Sequence, residues 1–393
     1  MKRWVCMLQP PCTPQRGSTA HAVITRGLTV RDKKMEKATI EMGQFTAPVS
    51  SNELMDFAGA QLLESISIGD SDWDNETVRS QVMGAHSRPV DSNYSFSRRV
   101  VRMIVLGLSV GQHMLLTGAP GAGKSSIVWQ IAARCGIPVF DVGCKLTTDL
   151  EDLTGSDVLN KGSTQFRPGP IYQAAEAVKH IRSSGVTKAI LLIDEIDAAN
   201  PAVIVGLNGM LDGARIQCAG EMLDTTGITV IATANTCGAG DSTGHWSSRQ
   251  ALDPSVLNRM ASTTVPYISR EAEARVIGQA FPKLMAKSGE KMLCEQLADA
   301  AGDVRDAWDS GKMESDPIST RQLLNLCRFM TKVPGSEWPE IVEDFFGAGR
   351  PRKDFLVILG SFKGVLNPNS KACKGMAALF DKVQEEVEKE ENR

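Results

Sequence analysis

Eight residues constrain this chain more than any others: Gly118-Ala119-Pro120-Gly121-Ala122-Gly123-Lys124-Ser125 has the spacing G-x-x-x-x-G-K-S. Glycines at these positions let the backbone curl so that successive N–H groups point at anionic oxygens, which a side chain would obstruct. Lys124 reaches the β- and γ-phosphates of a nucleotide as a point charge, and the Ser125 hydroxyl is a ligand for Mg²⁺. Ser126 completes the nucleotide-binding stretch. Met114 to Thr117 is a short apolar run that reads as a strand, and Ser125 to Arg134 carries Ile127, Val128 and Ile131 on one helical face. The loop therefore joins a strand to a helix N-terminus, whose dipole also favours phosphate. A chain with this element is expected to fold as a P-loop α/β protein.

A second element turns binding into chemistry. Lys188 to Ile193 is a continuous apolar run of the kind buried on both faces of a parallel sheet, and it ends in Asp194-Glu195. A carboxylate at such a strand tip can hold Mg²⁺, and its neighbour can polarise an attacking water. These residues predict an ATP- and Mg²⁺-dependent site: Gly118 to Ser126 for the nucleotide, Ser125 and Asp194 for the metal, and Glu195 as the base.

The alternation of patterns gives the architecture. Further strands are expected at Pro138 to Asp141, Gly227 to Thr233 and Thr263 to Tyr267, with helices at Ser97 to Leu108 and Ile171 to Ile181. Strands alternating with helices predict a three-layer αβα core with a five-stranded parallel sheet, its ligand at the C-terminal strand edge. After Arg270 only helices are expected, over Glu271 to Ala280, Lys283 to Ala301, Ser319 to Met330 and Trp338 to Phe346. The expected division is a disordered leader over 1–50, a helical and linker segment over 51–96 (a helix from Asn52 to Ser65, then a polar linker or lead-in from Gly69 to Ser97), the nucleotide-binding core over 97–268, an all-helical lid over 269–350 and a helical tail over 351–393. The leader carries eight Lys/Arg against two acids up to Lys37 and lacks a signal-peptide core. It is expected to be a disordered arm or translated sequence upstream of a start at Met35 or Met42, with an organelle transit sequence as the lesser alternative. Asp381 to Arg393, with six acids and three bases, reads as a solvated, fraying helix end.

Composition excludes some classes. A net charge of −3 gives no general drive toward nucleic acid or membrane, and no apolar run is long enough to span a bilayer. Nine scattered cysteines without a C-x-x-C pair point to reduced thiols in a cytoplasmic protein. His113 and His245 have no partners at metal spacing, so packing or solvent roles are expected for both.

Three more stretches narrow the reading to one family. They are Thr154-Gly155 with Phe166-Arg-Pro-Gly-Pro170, Asn200-Pro201 through Asn208-Gly-Met-Leu211, and Ala234-Asn235-Thr236 with Leu252-Asp-Pro-Ser-Val-Leu-Asn-Arg259. In type and order they resemble an AAA+ ATPase of the MoxR and CobS-like, dynein-related (midasin-type) group, over roughly Ser97 to Met330. The resemblance implies that Asn235 senses the γ-phosphate and that Arg259, with Arg249 as runner-up, is the finger supplied to a neighbour's site. It further implies that Arg321, in Ile318-Ser-Thr-Arg321, reaches the nucleotide from the lid. Met260 stands where the family usually has Phe. The resemblance also implies a homo-oligomeric ring, most simply a hexamer, that remodels a partner protein or complex as a chaperone or a chelatase motor. No D-x-S-x-S motif is present, so a von Willebrand A-type module would belong to a separate protein. A nucleic-acid motor of the McrB or helicase-loader type is the alternative, with no basic or aromatic patch to support it. A non-hydrolysing nucleotide-gated scaffold is opposed by Glu195 and Arg259. The insertion from Gly143 to Arg167 is expected to be an ordered, exposed hairpin and the candidate for partner engagement.

Overall fold

Strand β1, Met114–Thr117, is buried along its whole length, and its neighbours explain why. The computed structural model describes residues 54, 57–160, 163–213, 215–235 and 251–391. Within them β2 (Val139–Gly143), β5 (Ala189–Asp194), β8 (Ile228–Ala234) and β9 (Ala261–Thr264) join β1 in one five-stranded sheet of order β2-β5-β8-β1-β9. All four pairings are parallel. Parallel pairing needs crossovers that cover both faces, so the central strands are Val-, Ile- and Leu-rich runs rather than alternating ones. Helices Arg98–Val110 and Lys124–Cys135 pack their apolar faces on one side, through Val101, Ile104, Val128 and Ile131. Pro170–Val178 and the turns around Val203, Leu207 and Met210 cover the other side.

Two antiparallel hairpins are inserted between the sheet strands. β3 (Gly155–Asn160) pairs with β4 (Ser163–Pro168), and β6 (Arg215–Cys218) with β7 (Glu221–Asp224). The first lies within the predicted insertion and exposes nearly every β4 side chain. The second has too few apolar residues to stand out in sequence, and it turns through Ala219 and Gly220, both at positive φ.

From Arg270 the chain is mainly helical, with a hydrophobic cluster of its own around Leu297, Leu326, Phe346, Phe355 and Phe362. Two expectations are corrected here and one is narrowed. The predicted helix over Lys283 to Ala301 is broken: a 3₁₀ turn at Pro282–Met285 leads into a short hairpin, β10 (Lys287–Ser288) with β11 (Lys291–Met292). Gly289, at φ +80°, makes that turn, and the helix itself is Leu293–Asp309, capped where Glu295 accepts the Met292 N–H at 2.7 Å. The chain end is the expected, largely solvated helix, but not on every side: in the helix Lys371–Glu391, Met376, Leu379, Val383 and Val387 form one buried stripe at spacings of three and four. The segment after Gly69, expected as a linker, contains the helix Glu76–His86. Its Asn75 cap accepts the Thr77 and Val78 N–H groups, and its Val78 and Val82 are partly buried against the core.

The expected leader, and Thr236, His245 and Arg249, lie outside the described residues. The six described cysteines are free and buried. No helix of the described residues is long and apolar enough to cross a membrane.

Candidate functional site

The parallel sheet brings β1, β5 and β8 to a common C-terminal edge, where each run of apolar residues gives way to a polar one. β1 ends at Thr117, β5 at Asp194, and β8 runs directly into Asn235. The strand interiors are largely apolar and buried, so polar groups gather at this one edge.

The loop Gly118 to Gly123 leaves β1 there. Gly118, Gly121 and Gly123 have φ of 145°, 73° and 89°, a region that disfavours any side chain. Two of them are also places of close approach. A Cβ on Gly118 would lie 2.4 Å from the Val265 carbonyl oxygen, and one on Gly121 would lie 2.5 Å from the Ser319 Cβ. Pro120 accepts a hydrogen bond from the Tyr267 hydroxyl at 3.0 Å, which pins the loop's crest. Ala122 is buried, and Lys124 to Ser126 open the helix Lys124–Cys135.

Lys124 is buried with its Nζ donating to the Gly118 carbonyl at 2.8 Å, the Ala119 carbonyl at 3.1 Å and Asn235 Oδ1 at 2.7 Å. Ser125 Oγ donates to Asp194 Oδ1 at 2.6 Å, and Thr233 Oγ1 donates to the same carboxylate oxygen. Ser125 and Asp194 thus present adjacent hard oxygens beside the loop. Mg²⁺ takes few protein oxygens and completes its octahedron with phosphate and water, so this pair fits it. Glu195 is exposed at the strand tip in a left-handed conformation, φ 57° and ψ 47°, with its N–H donated to Thr233 Oγ1 at 3.0 Å. For a non-glycine residue that conformation costs about 1–2 kcal/mol. The strain turns the chain sharply after Asp194, so that Glu195 faces out and Asp197 folds back inside. Cys144 lies against this group, its N–H on the Asp194 carbonyl at 2.9 Å. Burial, then the nearby Asp194, Asp197 and Glu195, push its thiol up to about 12, which makes it a packing residue rather than a nucleophile.

Arg321 lies on the exposed side of the helix Thr320–Met330 at its start, its Cβ 3.9 Å from where a Gly121 Cβ would be. The helix start is held by a buried network. Arg305 makes two hydrogen bonds to Glu273, at 2.7 and 2.8 Å, and a third to the Ile318 carbonyl at 2.9 Å, with its guanidinium 4.4 Å from the centre of the Tyr267 ring. Burial raises the Tyr267 hydroxyl to about 12, so it remains a donor to Pro120.

Arg259 is not with the others. Gln112 Nε2 donates to its carbonyl at 3.0 Å, and Ala261 pairs with Met114 at the start of β1, whereas the P-loop follows the end of β1. On the order of 10 Å of strand separates them. Its guanidinium is paired with Asp212 Oδ2 and the Ser255 carbonyl, both at 2.5 Å. The following Met260 is buried, as the packing residue there would be.

Residues 113–260 match the family model described as an AAA domain of the dynein-related subfamily. This segment is an AAA domain of that subfamily. Midasin of Giardia intestinalis is 26% identical over 240 residues, 59% of this chain but 4% of midasin. An uncharacterized protein, YojN, of Bacillus subtilis is 26% identical over 239 residues, 58% of this chain and 71% of its own length. The aerobic cobaltochelatase subunit CobS of a Sinorhizobium species is 26% identical over 226 residues, 54% of this chain and 64% of CobS. The chain therefore spans less than two thirds of midasin and of CobS.

Four residues of the AAA domain and its surroundings are not singled out by the sequence: Thr233, Asp197, Tyr267 and Arg305. Thr233 alone carries a signal, since it lies two residues before Asn235 and strand period places both on one face.

Proposed function

We propose that this chain hydrolyses ATP with Mg²⁺ and uses the cycle, as a homo-oligomeric ring, to remodel a partner protein or complex. The observation that carries the reading is the meeting of Lys124, Ser125, Asp194, Glu195 and Asn235 at one sheet edge. Lys124 and the helix N-terminus would neutralise the β- and γ-phosphates. Ser125 and Asp194 would hold Mg²⁺, which bridges phosphate oxygens and neutralises the charge that develops on them. Glu195, exposed at the strand tip, would accept a proton from the attacking water, and Asn235 would orient that water. Arg321 would approach the same phosphates from the helical part, with Arg259 reserved for a neighbouring copy. Supporting a ring is the placement of Arg259 at the far end of β1, where it cannot serve its own P-loop.

The relative named as a cobaltochelatase subunit supports a motor that works on a separate metal-inserting partner, and a von Willebrand A-type protein is the partner class proposed. A cytoplasmic location is proposed from the buried free thiols.

Steady-state hydrolysis and fluorescent-nucleotide binding test the chemistry. Glu195→Gln should bind ATP as wild type does and lose turnover, whereas Lys124→Ala should lose binding as well. Equal turnover by wild type and Glu195→Gln would remove Glu195 from the role of base. The ring is tested by mixing: Lys124→Ala and Arg259→Ala copies, each inactive alone, should regain activity together, because some interfaces then combine an intact loop with an intact guanidinium. No regain in a mixed assembly would refute the assignment of Arg259.

A further inference from the structure

Asp197 belongs to the short turn Ile196–Ala198 that follows the strained Glu195, and its side chain is wholly buried. Its Oδ2 accepts the backbone N–H of Asn235 at 3.0 Å. The Asn235 side chain is fixed from the other direction, since Oδ1 accepts from Lys124 Nζ at 2.7 Å. An ammonium group only donates, so the amide oxygen must face Lys124 and the amide NH₂ must face away from it. Asn235 is therefore held at two points, its backbone by Asp197 and its carbonyl oxygen by Lys124. The sheet itself cannot supply the first of these, because β8 ends at Ala234.

We propose that Asp197 is a positioning residue for hydrolysis: it sets the Asn235 backbone so that the amide NH₂ is presented to the attacking water. The proposal rests on the reading that this chain hydrolyses ATP with Asn235 in the site. A side chain without an acceptor at 197 leaves the Asn235 N–H unsatisfied in the interior, and the residue then shifts to find another partner. An asparagine at 197 keeps an oxygen at the same reach. Asp197 makes no step of its own; its whole effect on turnover passes through Asn235.

The test is a double-mutant cycle in the full chain, with ATP turnover, nucleotide binding and thermal unfolding measured on each variant. Asp197→Ala should lower kcat between about tenfold and a hundredfold, the range for a catalytic group displaced by an ångström or less. KM for ATP should stay within about threefold of wild type, since only transition-state contacts are lost. Asp197→Asn should recover most of the rate. The decisive comparison is Asp197→Ala combined with Asn235→Ala, which should turn over no more slowly than Asn235→Ala alone. Should Asp197→Ala not fold, Asp197→Ser, too short to reach the Asn235 N–H, carries the same cycle. A double variant slower than Asn235→Ala by the full Asp197 factor would overturn the proposal, as would a rise in KM at constant kcat or an Asp197→Asn variant no better than Asp197→Ala. Wild-type protein that hydrolyses no ATP would instead overturn the underlying reading, and this proposal with it.

Discussion

Replacing Arg305 by alanine should be among the most damaging single changes outside the P-loop. The side chains of Arg305 and Glu273 are 8% and 0% exposed, and their two hydrogen bonds pair the buried carboxylate with the nearly buried guanidinium. Removing the arginine strands a buried carboxylate, which costs about 3–5 kcal/mol. The Ile318 carbonyl also loses its donor, and Tyr267 loses the cation over its ring. At about 2–4 °C per kcal/mol for a unit of a couple of hundred residues, Tm should fall by about 10 °C. The diagnostic partner is Arg305→Met with Glu273→Leu, which removes both charges at similar volume. Replacing a whole buried ion pair by apolar groups is close to neutral, so the double variant should regain at least about 2 kcal/mol over Arg305→Ala. Urea unfolding followed by tryptophan fluorescence measures both. A double variant no more stable than Arg305→Ala would refute the reasoning, since the stranded charge would then not be the source of the loss. Because Arg305 holds Ile318 next to Ser319, and Ser319 touches Gly121, nucleotide affinity should weaken in Arg305→Ala as well.

Gly121→Ala should cost nucleotide binding about tenfold or more: φ of 73° strains any Cβ by about 1–2 kcal/mol, and the new methyl would meet Ser319. Gly84→Ala, in a helix with open space around it, is the control and should stabilise by about 0.5–1 kcal/mol; fluorescent-nucleotide titration and thermal melts check the pair. His113 is half-buried and its Nδ1 accepts the Val230 N–H at 3.0 Å, which only the neutral ring can do. Burial lowers its pKa from the ordinary 6.5, so the unfolded chain takes up the proton first as pH falls. The stability it contributes is therefore complete above 6.5 and is lost as pH drops through the lowered folded value; His113→Gln should flatten that part of a stability-versus-pH curve, and an unchanged slope would discount His113.

Much of this site is legible in the sequence because each part is local. The P-loop glycines are recognisable by spacing, and β5 by an apolar run that stops at Asp194. Asn235 is reachable because β8 is equally apolar up to Ala234. The parts that are not legible depend on backbone turned back on itself or on distant pairings. Asp197 meets Asn235 only because Glu195 takes a left-handed conformation, which no local pattern demands. Tyr267 reaches Pro120 across 147 positions, and Arg305 reaches Glu273 across 32. The helix Glu76–His86 resembles a linker in sequence because its stability comes from the Asn75 cap and partial burial rather than from a strong apolar stripe. The helix expected from Lys283 is cut by a glycine turn whose hairpin is only two residues deep on each side.

Strand β1 has the phosphate loop at one tip and the Arg259 backbone, tethered by Gln112, at the other. A two-fold pair would join the two tips reciprocally and stop at two copies, whereas a head-to-tail contact would leave one tip open at every step. Copies joined head to tail, as the proposed ring would be, would all point the same way round, and such an assembly would have a direction of travel. Whether such a staircase closes on itself or climbs as an open spiral depends on the rotation from one step to the next. Within each copy, the contacts among Tyr267, Arg305 and Ile318 would tie the slope of such a step to the crest of its own phosphate loop.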